Sequence, residues 1–189
     1  MPGAITAATL GDRARTWWQQ EPGLLQREMA AMAALAPDLR WQPQGAGSWE
    51  GPAPLWPFER AAPEGLSALT GGRRLRVHVA YGHAFPMAPP GVWPLDPEPE
   101  LAHRLNHAWH VNGDGSLCLL SSAAAWSGRE PAAELVAKAA GWFVEFLLFS
   151  RGLIEAMTST GVGVDVSLDA LISDTGTHRG PGAGGKAAA

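Results

Sequence analysis

The sequence holds one cysteine, Cys118, preceded by Trp109-His110-Val111-Asn112-Gly113-Asp114-Gly115-Ser116-Leu117 and followed by Leu119 and Leu120. A thiol without a partner in its own chain forms no internal disulfide, and its chemistry is that of a nucleophile or acyl carrier, with the thiolate as the attacking species. His110 is placed to give a hydrogen bond to the oxyanion formed as an acyl group moves on or off sulfur, or to act as a base, because imidazole exchanges protons near neutral pH. Asn112 is the reserve donor for the same task. Gly113 and Gly115 permit a tight turn whose backbone N–H groups, turned outward, would add further donors, with Asp114 and Ser116 supporting the loop. Trp126, eight residues past the cysteine, reads as packing beneath it. Each residue also has a structural reading: a cysteine before two leucines resembles a core residue, and a loop histidine can serve only the backbone around it. A hydrolytic triad of Cys118, His110 and Asp114 would be hard to assemble within so short a loop. His103, His107 and His110 lack a second cysteine or a carboxylate at ligand spacing, so no metal is expected.

Such a loop must be held out by ordered elements. Leu10, Ala14, Trp17 and Trp18 recur at helical spacing and predict a short amphipathic helix over 6–20. Pro22 opens a second helix through Leu25, Met29, Met32 and Leu35, stopped by Pro37. Its apolar face should lie on a sheet, with Gln26, Arg27 and Glu28 partly on the other side. Residues 39–41, 49–58 and 75–81 read as strands, the last through alternation of Leu75, Val77, Val79 and Tyr81 with Arg76, His78 and Ala80. Together they predict an antiparallel meander of three or four strands. Prolines crowd 85–99 and argue against a central strand there, favouring an extended, turn-rich crossing. After Pro131, an apolar surface from Leu135 to Leu147 is too wide for an exposed helix and predicts a core one. Residues 158–173 suggest a short strand and a last helical turn, and the small, polar 176–189 a disordered tail.

Composition frames these expectations. A chain of 189 residues, 46% hydrophobic and 17% charged, fits one domain over 1–175 with its core in 22–149, and excludes a charge-rich disordered chain or a fibrous repeat. The net charge of -4 offers no electrostatic footprint for nucleic acid or an anionic membrane. Asp12, Arg13 and Arg15 interrupt any apolar leader, and no apolar run has the length of a membrane span, so a cytoplasmic protein is expected. Twelve arginines accompany only two lysines, Lys138 and Lys186. A composition that favours arginine, alanine and glycine accounts for this; so would protection of an activated acyl group from nearby amines, with Lys186 in the tail as the expected site of self-modification.

The stretch from His110 to Leu119, with Trp126 beyond it, resembles the active-site segment of ubiquitin-conjugating enzymes, which carry a His-Pro-Asn motif, an Asn-Gly-Ser-Ile-Cys-Leu turn and a tryptophan eight residues past the cysteine. Phe85-Pro86-Met87-Ala88-Pro89-Pro90-Gly91-Val92 is similar to that family's Tyr-Pro-x-x-Pro-Pro-x-Val segment, in the right order along the chain. The His-x-Asn-x-Asp-Gly-Ser-Leu-Cys version looks like the bacterial members, associated with antiviral operons that also encode a ubiquitin-like protein, an activating enzyme and a JAB-type metalloprotease. His110 falls where the family has its asparagine, Ala108-Trp109 replaces His-Pro, 96–107 reads as an insertion, and the last helix pair of eukaryotic members is not evident. The resemblance implies an α+β ubiquitin-conjugating fold: N-terminal helices, a four-stranded antiparallel meander, a cysteine loop and a long core helix. It implies that Cys118 accepts a ubiquitin-like protein as a thioester and passes it to an amine, normally a lysine, of a target protein. No cofactor is implied at this step, since ATP is consumed by the activating enzyme. Arg27, Trp17 and Trp18 fall where the N-terminal helices would meet that partner. The alternative is a catalytically silent binding module for a ubiquitin-like protein on the same fold.

Overall fold

Proline lacks an N–H that the first helical turn leaves unpaired in any case, and in a computed structural model that describes residues 15–122 and 125–177 the helix α2 (Pro22–Leu35) starts on Pro22. A single turn, α1 (Trp17–Gln20), precedes it, its start held by the Thr16 amide donating to the Gln19 side-chain oxygen at 3.0 Å. The remainder of the expected first helix, 6–14, lies outside the described residues, as does 178–189 of the expected tail.

Four strands follow the alternation rule: β1 (Arg40–Gln42), β2 (Ser48–Pro52), β3 (Arg76–Ala80) and β4 (Gly91–Asp96). They form one antiparallel sheet in the order β1-β2-β3-β4. The register aligns Trp49, Val79 and Val92, all buried, on one face. Each apolar side chain so removed from water contributes about 1.5–3 kcal/mol. β2 is shorter than the expected 49–58 because Pro52, Pro54 and Pro57 cannot donate to a ladder. The fourth strand corrects the expectation of an irregular crossing at 85–99. The prolines exclude a central strand only, and β4 is an edge strand with Pro94 beside a register shift opposite Arg76 and Val77.

The long helix α5 (Ala132–Ser150) is buried along nearly its whole length and packs against β3 and β4 as well as α2. α2 therefore meets α5 as its main helix partner, where the sequence pointed to the sheet. Its buried face carries Glu28, 1% exposed, in place of the expected solvent-side position. One Glu28 carboxylate oxygen accepts from the Tyr81 hydroxyl at 2.8 Å and from the Ala132 amide at 2.9 Å, capping the start of α5. Burial beside that carboxylate pushes the Tyr81 hydroxyl pKa far up. A short helix, α3 (Leu66–Thr70), precedes β3, and α6 (Asp169–Thr177) packs on it, two residues past the expected domain end at 175. No strand forms in the described residues 158–168, which run as turns before α6.

Candidate functional site

Beyond β4 the chain makes a helical turn, α4 (Leu101–Arg104), and a 3-10 turn over His107–Trp109, so part of the expected insertion is ordered. His110 ends that turn with φ of 50°, a left-handed conformation that histidine tolerates better than most residues. The reversal lets the His110 carbonyl accept from the Cys118 amide at 2.8 Å. Val111 and Leu117, both buried, pair as an isolated antiparallel bridge. The Leu117 amide donates to the Val92 carbonyl at 2.8 Å, fastening the cysteine loop to the outer edge of β4. Within the loop, the Asn112 amide donates to the Ser116 carbonyl at 2.8 Å and the Gly115 amide to the Asn112 carbonyl at 2.9 Å. Asp114 accepts from the Ser116 amide at 2.9 Å and from its hydroxyl at 2.6 Å, and Asn112 Nδ2 donates to the same hydroxyl oxygen at 2.9 Å. Gly115 has φ of +86°, and a Cβ there would approach the Arg104 guanidinium to 3.3 Å.

This network corrects two expectations, those for the loop amides and for Asn112. The amides of Gly115, Ser116 and Cys118 are spent inside the loop and that of Leu117 on Val92 of β4, so none of the four faces outward as an oxyanion donor. Among the described residues, the uncommitted amides next to the thiol are those of Leu119 and Leu120. Asn112 uses its side-chain amide on Ser116, which makes it a brace of the turn. Asp114 is likewise turned to Ser116, whose hydroxyl and amide hold its carboxyl below the usual range, so the Cys118–His110–Asp114 triad does not form. Trp126 donates to the Pro86 carbonyl at 2.8 Å and packs near Phe85, bracing the proline segment. Trp17, at 7% exposure, is core: it donates to the Ala46 carbonyl at 2.6 Å and packs on Trp41, Tyr81 and Phe85, so it cannot form a partner surface. Trp18 is half-buried against Trp41, and Arg27 is exposed, 3.7 Å from Glu28.

Cys118 is exposed and belongs to two cavities at once. One, about 300 Å³, is largely apolar, with Pro89, Pro90, Val92, Leu119 and Leu135 in its wall. The other, about 320 Å³, is also mainly apolar, through Phe58, Trp142, Met157 and Val164, but its wall adds His110, Ser121, Lys138, Glu145 and Thr158, and for these groups we call it the polar cavity. The His110 backbone shapes the loop while its ring, without a hydrogen bond to any described residue, lines the polar cavity beside the sulfur. Of the two roles that the sequence left open, the geometry displays the structural one, in the backbone of the loop.

Glu145 and Lys138 are the site residues that sequence reasoning passed over. Glu145 is 2% exposed and accepts from the Thr158 amide at 2.5 Å, the Thr158 hydroxyl at 2.9 Å and the Val162 amide at 2.8 Å, tying the 157–164 strap over the polar cavity. Burial raises its carboxyl pKa, against the pull of those donors and of the nearby His110. The signal was an acid set among Trp142, Phe143, Val144, Phe146 and Leu147, where a carboxylate must find buried partners. Lys138, two helical turns earlier, forms no ion pair or hydrogen bond with a described residue.

His103 spends Nδ1 on the Glu100 amide at 3.1 Å and stacks on Trp109, apart from any histidine cluster. Among the described residues, no group of three or more His, Cys, Asp and Glu side chains is arranged to hold a metal, and no helix is long and apolar enough to cross a membrane. No protein-family model, curated protein or solved structure gives a significant match to the chain.

Proposed function

We propose that the chain is a cytoplasmic conjugating enzyme for a ubiquitin-like protein, of the ubiquitin-conjugating fold, with Cys118 as the thioester carrier. The observation that carries this reading is the position of an exposed thiol in the wall of two cavities, of which only one also holds the ionisable side chains His110, Lys138 and Glu145. An acyl carrier must hold the donor's tail while an amine approaches from another side, and two cavities meeting at one sulfur supply separate places for them. The element order supports the same reading: helix, four-stranded meander, proline segment, cysteine loop, long helix.

Thioester exchange is nearly balanced in free energy, so the residues have chiefly to position reactants and stabilise the tetrahedral intermediate. His110 lies in the polar cavity where it can donate to the developing oxyanion, with the Leu119 and Leu120 amides next to the sulfur. The partners are a ubiquitin-like protein, its activating enzyme and a target protein, in an antiviral operon that also encodes a JAB-type protease. Mixing the chain with that activating enzyme, ATP and the ubiquitin-like protein should give a band on a non-reducing gel that reductant removes. Cys118→Ala should abolish it, and Cys118→Ser should leave a reductant-resistant oxyester. No band, with the activating enzyme shown to be charged, ends this reading.

A further inference from the structure

The chain uses arginine for nearly all its cations and retains only two lysines. One, Lys138, stands on α5 in the wall of the polar cavity that also contains Cys118 and His110. Glu145, the acid in the same wall, accepts from Thr158 and Val162 and forms no ion pair with Lys138. An amine, an imidazole and the thiol therefore line one half-open pocket of about 320 Å³. Holding reactants in such proximity turns a bimolecular attack into a unimolecular one, which raises its effective concentration far above that of any amine in solution.

We infer that Lys138 is an internal acceptor: an acyl group loaded on Cys118 moves to Lys138 Nζ and becomes a stable amide. The neutral amine attacks the thioester carbonyl carbon through its lone pair, forming the C–N bond. The tetrahedral intermediate collapses by breaking the C–S bond, and the electron pair leaves on Sγ. The ammonium proton passes to the thiolate directly or by way of His110, so the products are an Nζ-amide and a free thiol. No oxidant, metal or nucleotide enters this step. The consequence is self-modification at the cavity wall rather than at Lys186, which fills the polar cavity with the transferred chain and closes it to other amines. The inference rests on the reading of Cys118 as an acyl carrier.

A short peptide ending in Gly-Gly, supplied as its mercaptoethanesulfonate thioester, tests the transfer on the full chain without any activating enzyme. Intact-mass measurements should show first a hydroxylamine-labile adduct and then a resistant one, mapped by tandem mass spectrometry to Lys138. The conversion rate should not depend on protein concentration. In Lys138→Arg the labile adduct should persist several-fold longer and no resistant adduct should appear at that position; Cys118→Ala should carry neither. A labile adduct that decays at the same rate in the parent chain and Lys138→Arg, or a resistant one on another amine, overturns the internal transfer while leaving the carrier reading intact. A resistant adduct at Lys138 in Cys118→Ala overturns the route through sulfur. Failure of the probe to label Cys118 at all removes the carrier reading and this inference together.

Discussion

Glu28 and Glu145 are both buried, at 1% and 2% exposure, and both accept hydrogen bonds from backbone amides and a hydroxyl. Glu28 joins α2, the end of β3 and the first turn of α5, and lines neither of the cavities at the thiol. Glu145 faces the polar cavity near the other end of α5 and holds a strap beside Cys118. A buried carboxylate costs desolvation wherever it is placed, and what it returns depends on what its donors belong to. The first secures the joint between helices and sheet; the second holds the 157–164 strap at the cavity that Cys118 also lines.

The largest effect expected is the complete loss of thioester in Cys118→Ala, read on a non-reducing gel, which sets the zero against which both glutamates are compared. Glu28→Ala leaves the Tyr81 hydroxyl and the Ala132 amide without an acceptor and should cost about 3 kcal/mol in urea unfolding. At low temperature, the folded fraction should still load Cys118 at the parent rate. Glu145→Ala should invert that pattern, with a smaller loss of stability, faster protease cleavage within 157–164 and slower transfer from loaded Cys118 to added amine. Equal effects of the two substitutions on transfer would erase the distinction between them.

The pH dependence sharpens the contrast further. Burial raises the Glu145 carboxyl above its ordinary 4.5 in the folded chain, so its favourable contribution is complete below that value and is lost as pH rises through the folded pKa. The melting temperature of the parent chain relative to Glu145→Gln should therefore fall as pH is raised from about 4 towards neutrality. Asp114 has the opposite sign. Its carboxyl is held below 3.8 by Ser116, so its contribution is present above that value and disappears as the solution is acidified through the folded pKa. Asp114→Ala should show the smallest change of the set, confined to the 112–116 turn and visible as faster amide exchange of Ser116 at neutral pH but not in acid.

Much of the fold was legible from local pattern. The alternation of Val77 and Val79 with Arg76, His78 and Ala80 marks β3, Pro22 marks the start of α2, and the wide apolar surface after Pro131 marks α5. β4 was not legible because proline reports on hydrogen-bond donors and not on whether a strand has a neighbour on both sides; only the sheet order reveals an edge. Cys118 and His110 could be selected from residue type and spacing, and the structure brings both to one cavity. The loop amides and Asn112 were misread because spacing does not tell which way a donor points, and in this turn nearly all of them point inward to Ser116 and its neighbours. Glu145 and Lys138 reach the cavity from a helix far along the chain, a juxtaposition that no local pattern carries.

Trp142 lines the polar cavity and donates its indole N–H to the Trp109 carbonyl at 2.8 Å, one residue before His110. Indole emission shifts with the polarity and hydrogen bonding around the ring, so a chain seated on Cys118 changes the surroundings of a chromophore the protein already possesses. Occupancy of the thiol can thus be followed in real time by intrinsic fluorescence, without a dye, and a Trp142→Phe variant separates that signal from those of the other eight tryptophans.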